Sequence, residues 1–416
     1  MATRIAAKLF WVLLLSAMLC GTSVRSAEVN LVELAQVLES SKTARLDIEL
    51  KTGKAYVRAT LSKLTVDAKK EPKELRILDP DTGKQISVGF SAIRSISLDR
   101  EKVYEAAAAA GSTSAKETKA DKEAKAAALE REQLLERLAA KGIKPWPDLS
   151  REEHESAVEN CRERIAEYQK KFPALSVYET HEFLFVSNMP KEQVTPYAAS
   201  LDKMYDMMCS MYRIKRGTPV FQGRCLVVAF VDRAEFMAFE EEFFNHSPAQ
   251  GVMGLCHQSS KGEVVISCFR GNDPLYFGQL LVHETSHGFI HRYRTASRLP
   301  SWANEGMAEW IAMALVPYQG GVARKLETAR GTLRSGRSMR GMLEAEKIDG
   351  TLEHYGMAAA LTDFLIRADK AKYASFVDGM KEGKTWEESL KDSYGATREQ
   401  LIANFGRSIG AADLRP

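Results

Sequence analysis

The sequence predicts an α+β protein in three successive parts: a small all-β barrel, a charged helical linker, and a larger domain whose strands precede its helices. Three observations carry this expectation. Between Ala44 and Leu98 apolar and polar residues alternate, the period of half-buried strands. From Lys102 to Lys141 an alanine run and mixed charges on strong helix formers replace that alternation, which suits a solvated helix or helical linker. Beyond Arg151 short apolar runs are followed, after Phe269, by mostly helical patterns; strands first and helices later favour an α+β domain over a doubly wound sheet.

The chain has 416 residues, of which 45% are hydrophobic and 27% charged. A core of that size is sufficient for two or three domains and excludes global disorder. Residues 1–26 read as a signal peptide: Arg4 and Lys8 start it, an apolar run follows from Leu9 to Leu19, and small residues lead to Ser26 and Ala27, where cleavage is expected. The run is too short to span a bilayer comfortably. Cys20 follows Met18-Leu19 and not small residues, which argues against lipidation. With no other long apolar segment, the mature chain is expected to carry no integral membrane segment and to be secreted, or held in the periplasm or cell envelope. The leader contributes three of the 58 basic residues and no acid, so the mature chain balances 55 basic against 55 acidic residues. That balance offers no net basic surface for nucleic acid.

The first element after the leader is the barrel module, residues 27–102. Leu46, Ile48 and Leu50 alternate with Arg45, Asp47 and Glu49, and the turn Lys51 to Lys54 closes a hairpin. Strands follow over Tyr56 to Leu61, Leu75 to Leu78, Gln85 to Phe90 and Ile93 to Leu98, with a second turn at Asp79 to Gly83. Five short strands in so short a stretch suggest a small barrel, and the segment resembles SH3-like or Sm-like modules. No catalytic constellation falls in it, so a spacer role or a protein partner is expected for it. The linker, residues 103–148, ends at Lys144-Pro145-Trp146-Pro147, after which Asp148 or Ser150 can cap a helix over Arg151 to Lys171.

The third part, residues 149–416, carries strands near Phe183 to Val186 and Cys225 to Val231 and helices near Lys191 to Tyr212 and Arg233 to Phe244. A hairpin over Val252 to Phe269 turns at Ser259-Ser260-Lys261-Gly262. Export permits disulfides, and the mature chain keeps an odd set: Cys161, Cys209, Cys225, Cys256 and Cys268. Cys256 and Cys268 could face each other across the hairpin, or all five can serve as small buried hydrophobes. No Cys-x-x-Cys spacing suggests a structural zinc knuckle.

Asp273-Pro274 opens the helix that carries His283-Glu284-Thr285-Ser286-His287. A spacing of four places His283 and His287 on one helical face, within reach of one metal ion, with Glu284 beside any water there. Downstream, Pro300-Ser301 starts a second helix and Glu305 falls on its first turns, eighteen positions after His287. Two histidines and one carboxylate leave a fourth zinc position open, as a catalytic site requires. Glu309, one turn after Glu305, is placed to accept a proton from a ligand histidine and fix its tautomer; Asn304 could do the same.

His-Glu-x-x-His followed by Asn304-Glu305-Gly306-Met307-Ala308-Glu309 resembles the gluzincin zinc metallopeptidases, which include the thermolysin-like enzymes and zinc aminopeptidases. More narrowly, it is similar to the secreted bacterial peptidase MA-like group. The resemblance covers Val252 to Ala368. It implies a thermolysin-like domain, Zn2+ held by His283, His287 and Glu305, Glu284 as the general base toward a zinc-activated water, and Glu309 in support. The segment Glu353-His354-Tyr355-Gly356-Met357 is similar to the helix that supplies an oxyanion donor in zinc aminopeptidases, which implies Tyr355, or His354 after it; Met357 departs from the lysine or glutamine expected there. The hairpin would pair with an extended substrate through its backbone. The aminopeptidase motif Gly-x-Met-Glu-Asn is absent, with Gly254 at the glutamate position, so an endopeptidase acting on a peptide or protein is expected.

Two rivals share these residues. A noncatalytic cell-envelope binding protein could keep a vestigial zinc site while the β module binds a partner. A zinc hydrolase of a nonpeptide amide or ester would use the same metal residues. The metzincin pattern is excluded, because it asks for a third histidine where Tyr293 stands and a glycine where Ile290 stands. His291 reads as a surface or supporting residue, since three imidazoles stacked along a straight helix cannot close on one ion.

Overall fold

A computed structural model describes residues 30–40, 45–52, 54–79, 84–98, 101–106, 119–214, 218–318, 321–334, 338–348 and 351–415. The expected signal peptide lies outside the described residues, as do Gly53 and residues 80–83 of the two expected turns. The chain forms two compact units, Met1–Ala120 and Asp121–Pro416. The protein is α+β. Among the described residues no helix is long and apolar enough to cross a membrane.

The first unit holds helix α1 (Leu31–Ser40) and strands β1 (Arg45–Leu50), β2 (Ala55–Val66), β3 (Pro72–Leu78), β4 (Gln85–Gly89), β5 (Ile93–Leu98) and β6 (Glu101–Glu105). They form one antiparallel sheet in the order β4-β3-β2-β1-β5-β6. The expected alternation is present: Leu46 pairs with Leu98 and Ile48 with Ile96 across β1 and β5, and all four side chains are buried.

The expected closed barrel is not found. Strands β4 and β6 are the two edges of an open sheet. Helix α1, which the period-two pattern did not signal, supplies the missing cover: Leu34 and Leu38 are buried in one cluster with Leu46, Ile48, Leu61 and Leu75. A face shielded by a helix need not curl onto itself. Strand β6 was also unread, because Glu101, Lys102 and Glu105 give it the charged composition that edge strands use against further pairing. Its Tyr104 packs on Phe90, ring centroids 4.7 Å apart.

The second unit is built on a five-stranded mixed sheet, β7 (Ser176–Glu179), β8 (Phe183–Ser187), β9 (Cys225–Phe230), β10 (Gly254–Gln258) and β11 (Val264–Phe269), in the order β10-β11-β9-β8-β7. The three central strands run parallel, and both edges are antiparallel to their neighbours. Strands β8, β9 and β11 are buried at every position, because helices cover both faces. One face, with Leu184, Val186, Leu226, Val228 and Phe230, packs on α3 (Arg151–Lys171) and α5 (Arg233–Phe244). The other, with Phe183, Phe185, Val227, Ile266 and Cys268, packs on α4 (Lys191–Met211) and α6 (Pro274–Arg292). Ser150 caps α3 with a reciprocal capping box to Glu153, as expected.

The described part of the linker helix, α2 (Lys119–Ala140), is not solvated throughout: Leu138 is fully buried and Arg137 pairs with Glu382 at 3.1 Å. Trp146 then donates from Nε1 to the carbonyl of His291 at 2.8 Å, so the Lys-Pro-Trp-Pro segment lies against the end of α6. Of the two alternatives for the cysteines, the Cys256–Cys268 pairing is not present. In the β10–β11 register Cys256 opposes Ile266 and Cys268 opposes Gly254, so a two-residue offset separates the thiols. All five described cysteines are free.

The remaining helices are α7 (Ser301–Leu315), α8 (Val322–Arg334), α9 (Arg340–Leu343), α10 (Leu352–Ala368), α11 (Lys370–Lys381), α12 (Trp386–Tyr394) and α13 (Arg398–Ile409). Of these, α7 packs on both α6 and α10, α8 packs on α10, and the three complete the site.

Candidate metal centre

Helix α6 begins where the sequence indicated. The Asp273 carboxylate accepts from the amides of Leu275 and Tyr276 at 3.1 and 3.0 Å, and Pro274 occupies the first helical position, where a missing N–H is harmless. Ten positions after Asp273, His283 is followed one turn later by His287, their Nε2 atoms separated by 3.1 Å. Helix α7 opens at Ser301 and brings Glu305 across. Its Oε2 lies 3.2 Å from Nε2 of His283 and 3.4 Å from Nε2 of His287.

These three atoms form a near-equilateral triangle. A tetrahedral ion with bonds of about 2.0–2.1 Å sets its ligands about 3.3–3.4 Å apart, close to the observed edges. Oε2 of Glu305 is buried without a hydrogen bond of good geometry, the state of an acceptor that a cation would satisfy. Among the described residues no other group of three or more such side chains could hold a metal. The donor set, two imidazoles and a carboxylate, suits zinc.

The electrostatics ask for positive charge at this point. Burial works against the imidazolium form of His283, but contacts with Glu305 and Glu309 and the charge of Glu284 outweigh it and push its pKa up to about 10. Burial alone would raise the Glu305 carboxyl, yet the His287 and His283 imidazoles hold it well below the usual carboxylate range. Protons that these groups would otherwise gather can be exchanged for one divalent cation.

Glu309 is 1% exposed, and its Oε1 lies 3.2 Å from Nδ1 of His283. That oxygen is placed to accept the Nδ1 proton, which leaves the Nε2 lone pair directed at the triangle. Glu284 and His283 line a cleft of about 490 Å³ with Tyr355, Glu309 and Lys325. The ring of Tyr355 stacks at 6.1 Å from that of His283. Burial, then the charges of Glu305, Glu284 and Glu309, hold its hydroxyl well above the usual tyrosine range, so it remains a hydrogen-bond donor. The same cleft is bordered by Gly251 to Gly254 at the start of β10. A Cβ at Gly254 would stand 3.2 Å from Cγ of Glu284, so a side chain at that position would press on Glu284.

The other candidates sit further out. His354 and Asn304 are half-buried and do not line the cleft. His291 is half-buried and plays a supporting part: its Nε2 lies 3.1 Å from the carbonyl of Ser259, which ties the hairpin turn to α6. The sequence reading missed Lys325. It donates from Nζ to the same Oε1 of Glu309 and lies 4.9 Å above the Tyr355 ring. No motif marks it, since it reaches the site from a separate helix. No model of a known protein family matches the chain, and no curated protein matches it significantly.

Proposed function

We propose that the protein is an exported zinc-dependent metallopeptidase of gluzincin type, with residues 149–416 as a thermolysin-like catalytic domain that cleaves peptides or proteins internally. The observation that supports this best is the triangle of His283, His287 and Glu305 beside a cleft that Glu284 lines. Zn2+ held by those three side chains would supply a Lewis acid that polarises a carbonyl and acidifies a water. The N-terminal unit is read as a module for a protein partner.

The chain's own residues account for the rest of the reaction. The Glu284 carboxylate takes the proton of the attacking water and returns it to the leaving amine. The Tyr355 hydroxyl, held protonated by its surroundings, donates to the carbonyl oxygen as it gains charge. Glu309 holds His283 in one tautomer through Nδ1. Val252, Met253, Leu280 and Leu352 contribute apolar surface to the cleft lining, which suits contact with an apolar side chain of a substrate.

The test combines metal content with turnover. Purified protein is expected to retain about one zinc per chain after dialysis, and Glu305→Ala to lose it. Glu284→Gln is expected to keep zinc and to lose hydrolysis of a mixed peptide library. Full turnover by Glu284→Gln, or no zinc in the unmutated protein, would sink this reading.

A further inference from the structure

Glu309 receives two donors on one oxygen. Nδ1 of His283 approaches Oε1 from α6 at 3.2 Å, and Nζ of Lys325 approaches the same atom from α8. The carboxylate is 1% exposed as a side chain and Lys325 only 17%, so water competes little for either. A single histidine contact leaves a carboxylate free to rotate about its terminal torsion, which is soft. A second, charged donor on the same oxygen removes that freedom, and charge-assisted bonds of this kind are the strong ones.

The position of Lys325 is itself built into the packing. Helices α8 and α10 touch so closely that a Cβ at Gly356 would fall 2.0 Å from the Lys325 carbonyl oxygen. Only glycine fits there, and it follows Tyr355 directly. The contact sets the Lys325 backbone beside α10 and its ammonium over the Tyr355 ring, a cation–π arrangement that limits where the side chain can go. Lys325 is therefore held from two sides with its donor group aimed at Glu309.

We propose that Lys325 is a positioning residue of the metal centre: by fixing Glu309 against Nδ1 of His283 it keeps the Nε2 lone pair of that histidine turned toward His287 and Glu305. This rests on the metallopeptidase reading for the identity of the ion. It opposes what charge alone would do, because an ammonium group near a cation site repels the cation. Lys325 acts through Glu309 and not by touching the ion.

Zinc affinity, measured by competition with a chelator, tests this without any turnover. Lys325→Met is expected to weaken zinc binding about 10- to 100-fold, and Lys325→Arg to recover most of the loss, because a guanidinium group supplies the same charged donor. In a Glu309→Gln background, Lys325→Met should add little further loss, as residues acting in series are not additive. Far-UV circular dichroism and the urea midpoint of each variant separate loss of fold from loss of affinity. Unchanged or tighter zinc binding by folded Lys325→Met overturns the proposal and leaves the metallopeptidase reading intact. A full further loss in the Glu309→Gln background overturns it equally. Absence of zinc binding in the unmutated protein overturns both readings together.

Discussion

Nε2 of His283 stands 3.2 Å from Oε2 of Glu305, across the seam between α6 and α7, and α7 packs on its other side against α10. Glu305 precedes Gly306, and a Cβ at Gly306 would fall 2.4 Å from the carbonyl oxygen of Ala358 on α10. Backbone cannot yield as a side chain can. Gly306→Ala is therefore expected to push α7 away from α10 and cost about 1–3 kcal/mol, seen as a lower urea midpoint. The same shift should carry Glu305 away from the histidines and weaken zinc binding. An alanine variant with unchanged stability and unchanged affinity would contradict this account of how the helix is placed.

Tyr355 provides a separate handle on the chemistry. Its hydroxyl is kept protonated by burial and by the carboxylates around it, and its ring packs with His283 without supplying a ligand atom to the triangle. Tyr355→Phe is expected to leave zinc content unchanged and to lower kcat about 10²- to 10³-fold, the usual cost of removing one oxyanion donor. KM should move little, because the donor acts on charge that develops after binding. A Phe variant that lost zinc, or that raised KM alone, would assign Tyr355 to packing or substrate contact instead.

How much of this was legible in the sequence depends on the range of each interaction. The cap at Asp273, the four-residue spacing of His283 and His287, and the start of α7 at Ser301 are local, and each appears where its residues placed it. The strands of the second sheet were legible where helices bury them on both faces, as at Phe183 to Val186. Two of the four edge strands were not: β7 is short, with most of its residues exposed, and β6 is charged, so neither carries an apolar signal. The open N-terminal sheet was misjudged as a barrel because strand count says nothing about what covers a face, and Leu34 and Leu38 of α1 cover it. Lys325 was unreadable for the same reason. Its partner Glu309 lies sixteen positions away, and the two meet through helix packing that no short pattern encodes.

Stability at alkaline pH should follow Lys381, which lies outside the site. It is 1% exposed, and its Nζ donates to the carbonyl of Ser297 at 2.7 Å. Burial pulls its pKa down to about 7 from the ordinary lysine value, so the folded protein releases a proton that the unfolded chain keeps until about pH 10.5. Between those values the unfolded state binds more protons, and stability must rise with pH, by at most about 1.4 kcal/mol per unit for this one group. Below about pH 7 both states carry the charge and the cost of burying it is borne in full. Lys381→Met removes the titration. Its urea-unfolding free energy should therefore exceed that of the unmutated protein most at pH 6, with the gap narrowing steadily toward pH 10. A gap that stays constant over this range would show that Lys381 reaches solvent when charged, and that its burial does not govern its protonation.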